Sequence, residues 1–237
     1  LLAVTGVTTT AGGASSFDGL VTATGGPVSI TSTDDVTTTA NGDVNGDSVV
    51  ITSTAGSVDL DGTVVADTTS ATITAAIDVT ADDTITAQTN VAATGGRNVV
   101  LNETVTATTG NIDLEATAGS LTTGQNGDLI ATAGNVEIDA GLNVTTNAAI
   151  GTAGVPIGGT ISVGQNILPT GTVTLGDDAA ASIIAVGAIT VDGGDVITNG
   201  TVDSTTANVD LGAIDDLTTN STVDASTEVL LTTENGD

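Results

Sequence analysis

The chain has no Cys, Met, Trp, Tyr or His; its one aromatic side chain is Phe17 and its one basic side chain is Arg97. Such a chain lacks most of the catalytic toolkit, and it reads as non-enzymatic. With no basic surface to meet phosphates, nucleic acid is excluded as a partner, and an anionic membrane surface is disfavoured for the same reason. Without cysteine there is no disulfide framework and no redox argument about compartment. No apolar run reaches membrane-spanning length, so membrane insertion is not expected. The opening Leu1-Leu2-Ala3-Val4-Thr5 lacks the basic residue and long apolar core of a signal peptide. It reads as a segment already processed or cut from a longer polypeptide.

What remains is Thr, Ala, Gly, Val, Asp, Asn, Ile and Leu, a mixture of β-branched and small residues with turn formers, which favours strands joined by tight turns. Of the 237 residues 39% are hydrophobic, which argues against disorder despite the formal charge of −28. That charge comes from 29 acids against one base, so ion pairs neutralise almost none of it. Two carboxylates about 4 Å apart repel by ~1 kcal/mol in water and ~4 kcal/mol at an effective dielectric of 20. Divalent cations, high ionic strength or wide spacing of the acids would each relieve that repulsion, and the first two point to an extracellular or cell-surface setting.

A unit of apolar, any, apolar recurs throughout, as in Val28-Ser29-Ile30, Val49-Val50-Ile51, Val58-Asp59-Leu60, Val99-Val100-Leu101, Ile112-Asp113-Leu114, Val136-Glu137-Ile138, Val173-Thr174-Leu175, Val209-Asp210-Leu211 and Val229-Leu230-Leu231. Gly, Asn or Asp usually flanks it. This is period-two alternation bounded by turn signals, the pattern of a short strand with one buried face. Strands recurring about every eight to twelve residues fit either tandem β-sandwich domains or a β-solenoid. A sandwich core about 10 Å thick usually contains aromatics, whereas stacked Val, Ile, Leu and Ala fill a narrower solenoid. The predicted fold is therefore an all-β solenoid, with tandem sandwiches as the alternative. The intervals Val28 to Val49, Ile112 to Val136 and Val209 to Val229 suggest coils of about 20 to 28 residues, roughly ten in all, in a rod ~50 Å long. Residues 1–237 read as one solenoid segment of a longer repeat protein. The Gly-rich stretch Gly151-Thr152-Ala153-Gly154-Val155-Pro156-Ile157-Gly158-Gly159 reads as a loop and the best candidate for a weak boundary. Neither terminus looks like a cap, which implies that further protein stacks on at least one end.

Gly110-Asn111-Ile112-Asp113-Leu114-Glu115-Ala116 and Gly134-Asn135-Val136-Glu137-Ile138-Asp139-Ala140 resemble the recurring glycine, polar, Val, any, Leu unit of filamentous-haemagglutinin-like proteins and other large secreted bacterial β-strand-repeat adhesins. The resemblance covers most of the chain. It implies a right-handed parallel β-helix displayed at the cell surface or built into fibres.

In Asn41-Gly42-Asp43-Val44-Asn45-Gly46-Asp47-Ser48 the oxygen-bearing Asp43, Asn45 and Asp47 alternate as in the first half of an EF-hand loop, a spacing suited to calcium. Ser48 stands where glycine is usual and Thr54 where a bidentate Glu is expected, so an ordinary turn is the competing reading. Asp59-Leu60-Asp61-Gly62 is a shorter fragment of the same kind, with Asp59 and Asp61 as candidate calcium ligands. The doublets Asp34-Asp35, Asp82-Asp83, Asp177-Asp178 and Asp215-Asp216 fall at turn-like places, where ladders of acids would share cations between coils or simply be solvated. Thr-x-Thr units, such as Thr31-Ser32-Thr33, Thr72-Ile73-Thr74, Thr84-Ile85-Thr86 and Thr172-Val173-Thr174, suggest an outward threonine ladder like that of ice-binding solenoids, although their spacing is unequal. Asn102, Asn143, Asn199 and Asn220 head N-glycosylation acceptor patterns that a Thr-rich chain also produces by chance.

These readings converge on a structural component of an extracellular fibre, sheath or adhesin stalk. It would self-associate end to end with other copies by strand stacking, with divalent cations as further partners. The alternatives are a calcium-dependent adhesive or glycan-binding module, its recognition carried by a lateral loop, and an ice-binding solenoid.

Overall fold

The apolar-any-apolar units become strands because β-branched side chains fit a pleated, half-buried surface, and the intervening Gly, Asp and Asn form the corners. The computed structural model describes residues 1–177 and 180–236; within them every strand pairing is parallel and no helix occurs. Each coil passes through three faces in turn, in most coils with one strand on each. In one coil, Val64–Ala66 lies on face A, Ala71–Ala75 on face B and Val79–Ala81 on face C. Face B stacks eleven strands from Val7–Ala11 to Val229–Thr233, and face C stacks ten from Ser15–Phe17 to Leu217–Thr219. Face A stacks seven strands up to Leu129–Ala131. It continues through Ile150, which bridges Leu129 to Ile183, into the three strands Ser182–Ala185, Thr201–Ser204 and Val223–Ala225. The molecule is a parallel β-solenoid of about eleven turns, roughly 50 Å long at about 4.8 Å per coil.

Register is set by the inward side chains. Val28 pairs with Val49, Ile112 with Val136 and Val209 with Val229, so the intervals legible in the sequence are true coil repeats. Slipping a strand by one residue would turn its whole apolar set outward, and this holds each coil in line. The interior is thin and filled by like on like. Ile30, Ile51 and Ile73 stack on face B, and Ala66, Ala87, Ala107 and Ala131 on face A, all but inaccessible to solvent. Each fully buried Val, Ile or Leu contributes about 1.5–3 kcal/mol, and a single hydrophobic cluster runs from Val7 to Ala213.

Coil length stays at 20–22 residues from Val7 to Ile112 and 20 from Ile189 to Val229, but grows to 24, 25 and 28 between Ile112 and Ile189. The excess leaves the rod at successive corners. Residues 151–160 loop between faces A and B, and residues 164–171 between faces B and C. Gly151 (φ 67°), Gly164 (φ 75°) and Gly176 (φ 79°) adopt left-handed backbone where the path departs from the coil, a conformation that disfavours any side chain. The first loop is the Gly-rich stretch singled out in the sequence. It returns to the rod through Ile157, which is fully buried and bridges Ala185.

Candidate cation site on face C

Asp59 sits at the centre of Val58–Leu60, the one outward position of that strand, between Thr37 and Thr80 of the neighbouring coils. Two residues on, Asp61 opens the corner toward face A and shares the outward side of the strand, because side chains alternate with period two. Leu60 pairs with Ala81, so Asp82 occupies in the next coil the place Asp61 holds in its own. The three carboxylates offer oxygens that all lie within 4.8 Å of one another, and all three residues are exposed. Oxygens that each ligate a calcium ion at about 2.4 Å fall within that span, and solvent is at hand to complete six to eight ligands. Burial, reinforced by the charges of Asp61 and Asp82, raises the Asp59 pKa above its ordinary value. Asn102, one coil further on, donates its side-chain amide to Asp82 Oδ1 at 2.5 Å and holds that carboxylate in place.

Two sequence candidates, Asp59 and Asp61, thus meet a third residue drawn from the Asp82-Asp83 doublet. The longer motif is arranged differently. Asn45 lies outward in the extended strand Val44–Gly46, paired with Thr22 and Val65, with Asp43 before it and Asp47 after it. An extended strand advances about 6.6 Å per two residues, so these side chains are strung along the edge of the rod and do not curl round a centre. Asp43 Oδ1 accepts the backbone N–H of Thr63 at 3.0 Å and its hydroxyl at 2.9 Å, while the Asp47 carbonyl accepts the N–H of Thr69 at 2.8 Å. The doublets serve corners in the same way: Asp35 Oδ1 accepts the N–H of Ser57 at 2.8 Å, and Asp83 Oδ1 that of Thr84 at 2.6 Å. Asp178 lies outside the described residues.

This corner role is the one sequence reasoning missed. Asn90, Asn111 and Asn135 each present Oδ1 to the N–H of the equivalent residue one coil on, at 2.8, 2.9 and 2.9 Å, ending at Thr160. At the corner entering face C, Asp78 accepts from Asn98 and Asn98 from Ser120. The signal was present in the Gly-Asn pairs 110–111 and 134–135. A glycine there lets the coils close: a Cβ on Gly134 would lie 2.0 Å from the Gly110 carbonyl oxygen.

A second acidic group lies on face B, where Asp113 pairs with Glu137 and Glu115 with Asp139. Burial first, and then neighbouring carboxylates, raise the pKa of Asp113 and Glu137. Asp139 is 4% exposed, covered by the loop at 164–171, whose Asn166 and Ile167 donate backbone N–H groups to its Oδ1 at 3.1 and 3.2 Å. That carboxylate is therefore engaged in holding a loop.

No helix among the described residues is long and apolar enough to cross a membrane. Set against known proteins, the chain matches no family, no curated protein and no solved structure.

Proposed function

We propose that this chain is a non-catalytic structural segment of an extracellular fibre, sheath or adhesin stalk. The observation that carries the reading is the unbroken, in-register stacking of eleven strands on face B over one continuous core. The last of these, Val229–Thr233, pairs on one side only, and its inward Val229 and Leu231 remain 39% and 47% exposed. A further coil, supplied by another copy or by chain continuous with this one, would complete both the backbone hydrogen bonds and the apolar column. The Gly-Asn-Ile and Gly-Asn-Val corners support kinship with the filamentous-haemagglutinin-like repeats, and 29 acids against one base suit surroundings rich in cations. Calcium bound by Asp59, Asp61 and Asp82 would tie adjacent coils together where their charges otherwise repel.

Negative-stain electron microscopy of the purified chain, with calcium and then with excess chelator, tests this. Long uniform filaments that fray on chelation support the reading. Short single rods in both conditions would remove self-stacking and leave the second reading, an adhesive or glycan-binding module. That reading is favoured by the loops at 151–160 and 164–171, which lengthen the corners of neighbouring coils. Glycan binding that survived replacement of residues 151–160 would exclude that loop as the recognition element.

A further inference from the structure

The outward positions of face B change character along the rod. In its first five coils they are Thr8 and Thr10, Ser29 and Thr31, Val50 and Thr52, Thr72 and Thr74, and Ala92 and Thr94. None is charged, in a chain of 29 acids; the next two coils place Asp113, Glu115, Glu137 and Asp139 at the same positions. One column is threonine throughout: Thr10 pairs with Thr31, Thr31 with Thr52, Thr52 with Thr74 and Thr74 with Thr94. The unequal spacing of these residues in the sequence is taken up at the corners and does not reach the face.

Several corner threonines are occupied by the protein: the hydroxyl of Thr63 meets Asp43, that of Thr69 the Asp47 carbonyl and that of Thr109 the Gln88 carbonyl. Among the described residues, no protein group hydrogen-bonds the hydroxyls of Thr10, Thr31, Thr52, Thr74 or Thr94. Their χ1 angles are restricted by β-branching, so hydroxyl and methyl are held in a repeated arrangement at little further entropic cost. The repeats are about 4.8 Å along the rod and about 6.6 Å along each strand.

We propose that face B of the first five coils binds ordered water at the surface of ice. The two repeats lie near those of water oxygens on ice faces, the free hydroxyls can take the place of lattice waters, and the methyls shape the intervening cages. A carboxylate would hold its own hydration shell and break that order, and none stands at these positions. This inference does not depend on the fibre reading, whose readout is filament formation.

The test measures thermal hysteresis and ice-crystal shape for the full chain, together with its partition into slowly grown ice. Thr52→Lys, at the centre of the column, is compared with Thr145→Lys on face C, and circular dichroism checks the fold of each. Thr31→Tyr serves as a second disruption should Thr52→Lys fail to fold. A freezing gap with faceted crystals is expected for the wild type and for Thr145→Lys, and its loss in the folded face B variant. Wild-type protein excluded from ice with no freezing gap would overturn the proposal, as would face B variants that retain full activity.

Discussion

The side-chain oxygen of Asn111 accepts the backbone N–H of Asn135 at 2.9 Å, one coil further along the rod. Asn111 in turn donates its own N–H to Asn90 Oδ1 at 2.8 Å, so each residue of the corner ladder satisfies the next. Asn111→Ala leaves one corner N–H to solvent and should cost about 1 kcal/mol in urea unfolding. Asn111→Asp, which keeps the acceptor, should lose less at high salt; equal loss would show that the hydrogen bond is not what the residue contributes.

Two glycines separate packing from chain flexibility. Gly134→Ala places a Cβ 2.0 Å from the Gly110 carbonyl oxygen and should lower the melting temperature sharply, whereas Gly12→Ala meets nothing within 4 Å. The second change should be neutral, or stabilising by about 0.4–1 kcal/mol through the unfolded state. Differential scanning calorimetry of the pair decides.

Ile51 is fully buried between Ile30 and Ile73 in its column. Ile51→Ala should cost about 2–5 kcal/mol, because the rigid stack on either side cannot collapse into the cavity. A loss under about 1 kcal/mol would mean that coils repack independently of their neighbours.

Stability should rise on mild acidification. Asp59, Asp113, Glu137 and Asp210 have raised pKa values, chiefly from burial and then from neighbouring carboxylates. Each therefore contributes stability that is fully present below the ordinary carboxylate value and lost as pH rises through its folded value. Asp78 runs the other way: hydrogen bonding to Arg97 lowers its pKa, so its contribution is present above the ordinary value and lost as pH falls through the depressed one. Four groups against one predict a melting temperature that rises in low salt as pH falls through the raised values of these four carboxylates. Asp113→Asn should raise the value at neutral pH and flatten the profile. A melting temperature that fell steadily with acidification would contradict this balance.

Calcium should raise the melting temperature, and Asp61→Asn combined with Asp82→Asn should abolish most of that increase while raising stability in chelator by removing like charges. Isothermal titration of the two proteins measures the same difference directly. An unchanged calcium response in the double variant would place the ion elsewhere.

Strand identity, the solenoid class and the coil repeat could be read from the sequence because they are local: alternation of Val, Ile and Leu with polar residues, punctuated by Gly, Asn and Asp, specifies which side of each short segment is buried. The loop at Gly151 was legible for the same reason, from the clustering of residues that leave extended backbone. What meets across coils was decided by the tertiary structure, since it depends on how many residues each corner absorbs. Asp61 and Asp82 are 21 positions apart and become neighbours only because Leu60 pairs with Ala81, while Asp43 and Asp47, close in sequence, flank the extended strand Val44–Gly46 at its two ends. The threonine column likewise arises from unequal intervals, because inward packing aligns the strands and leaves the corners to take up the difference.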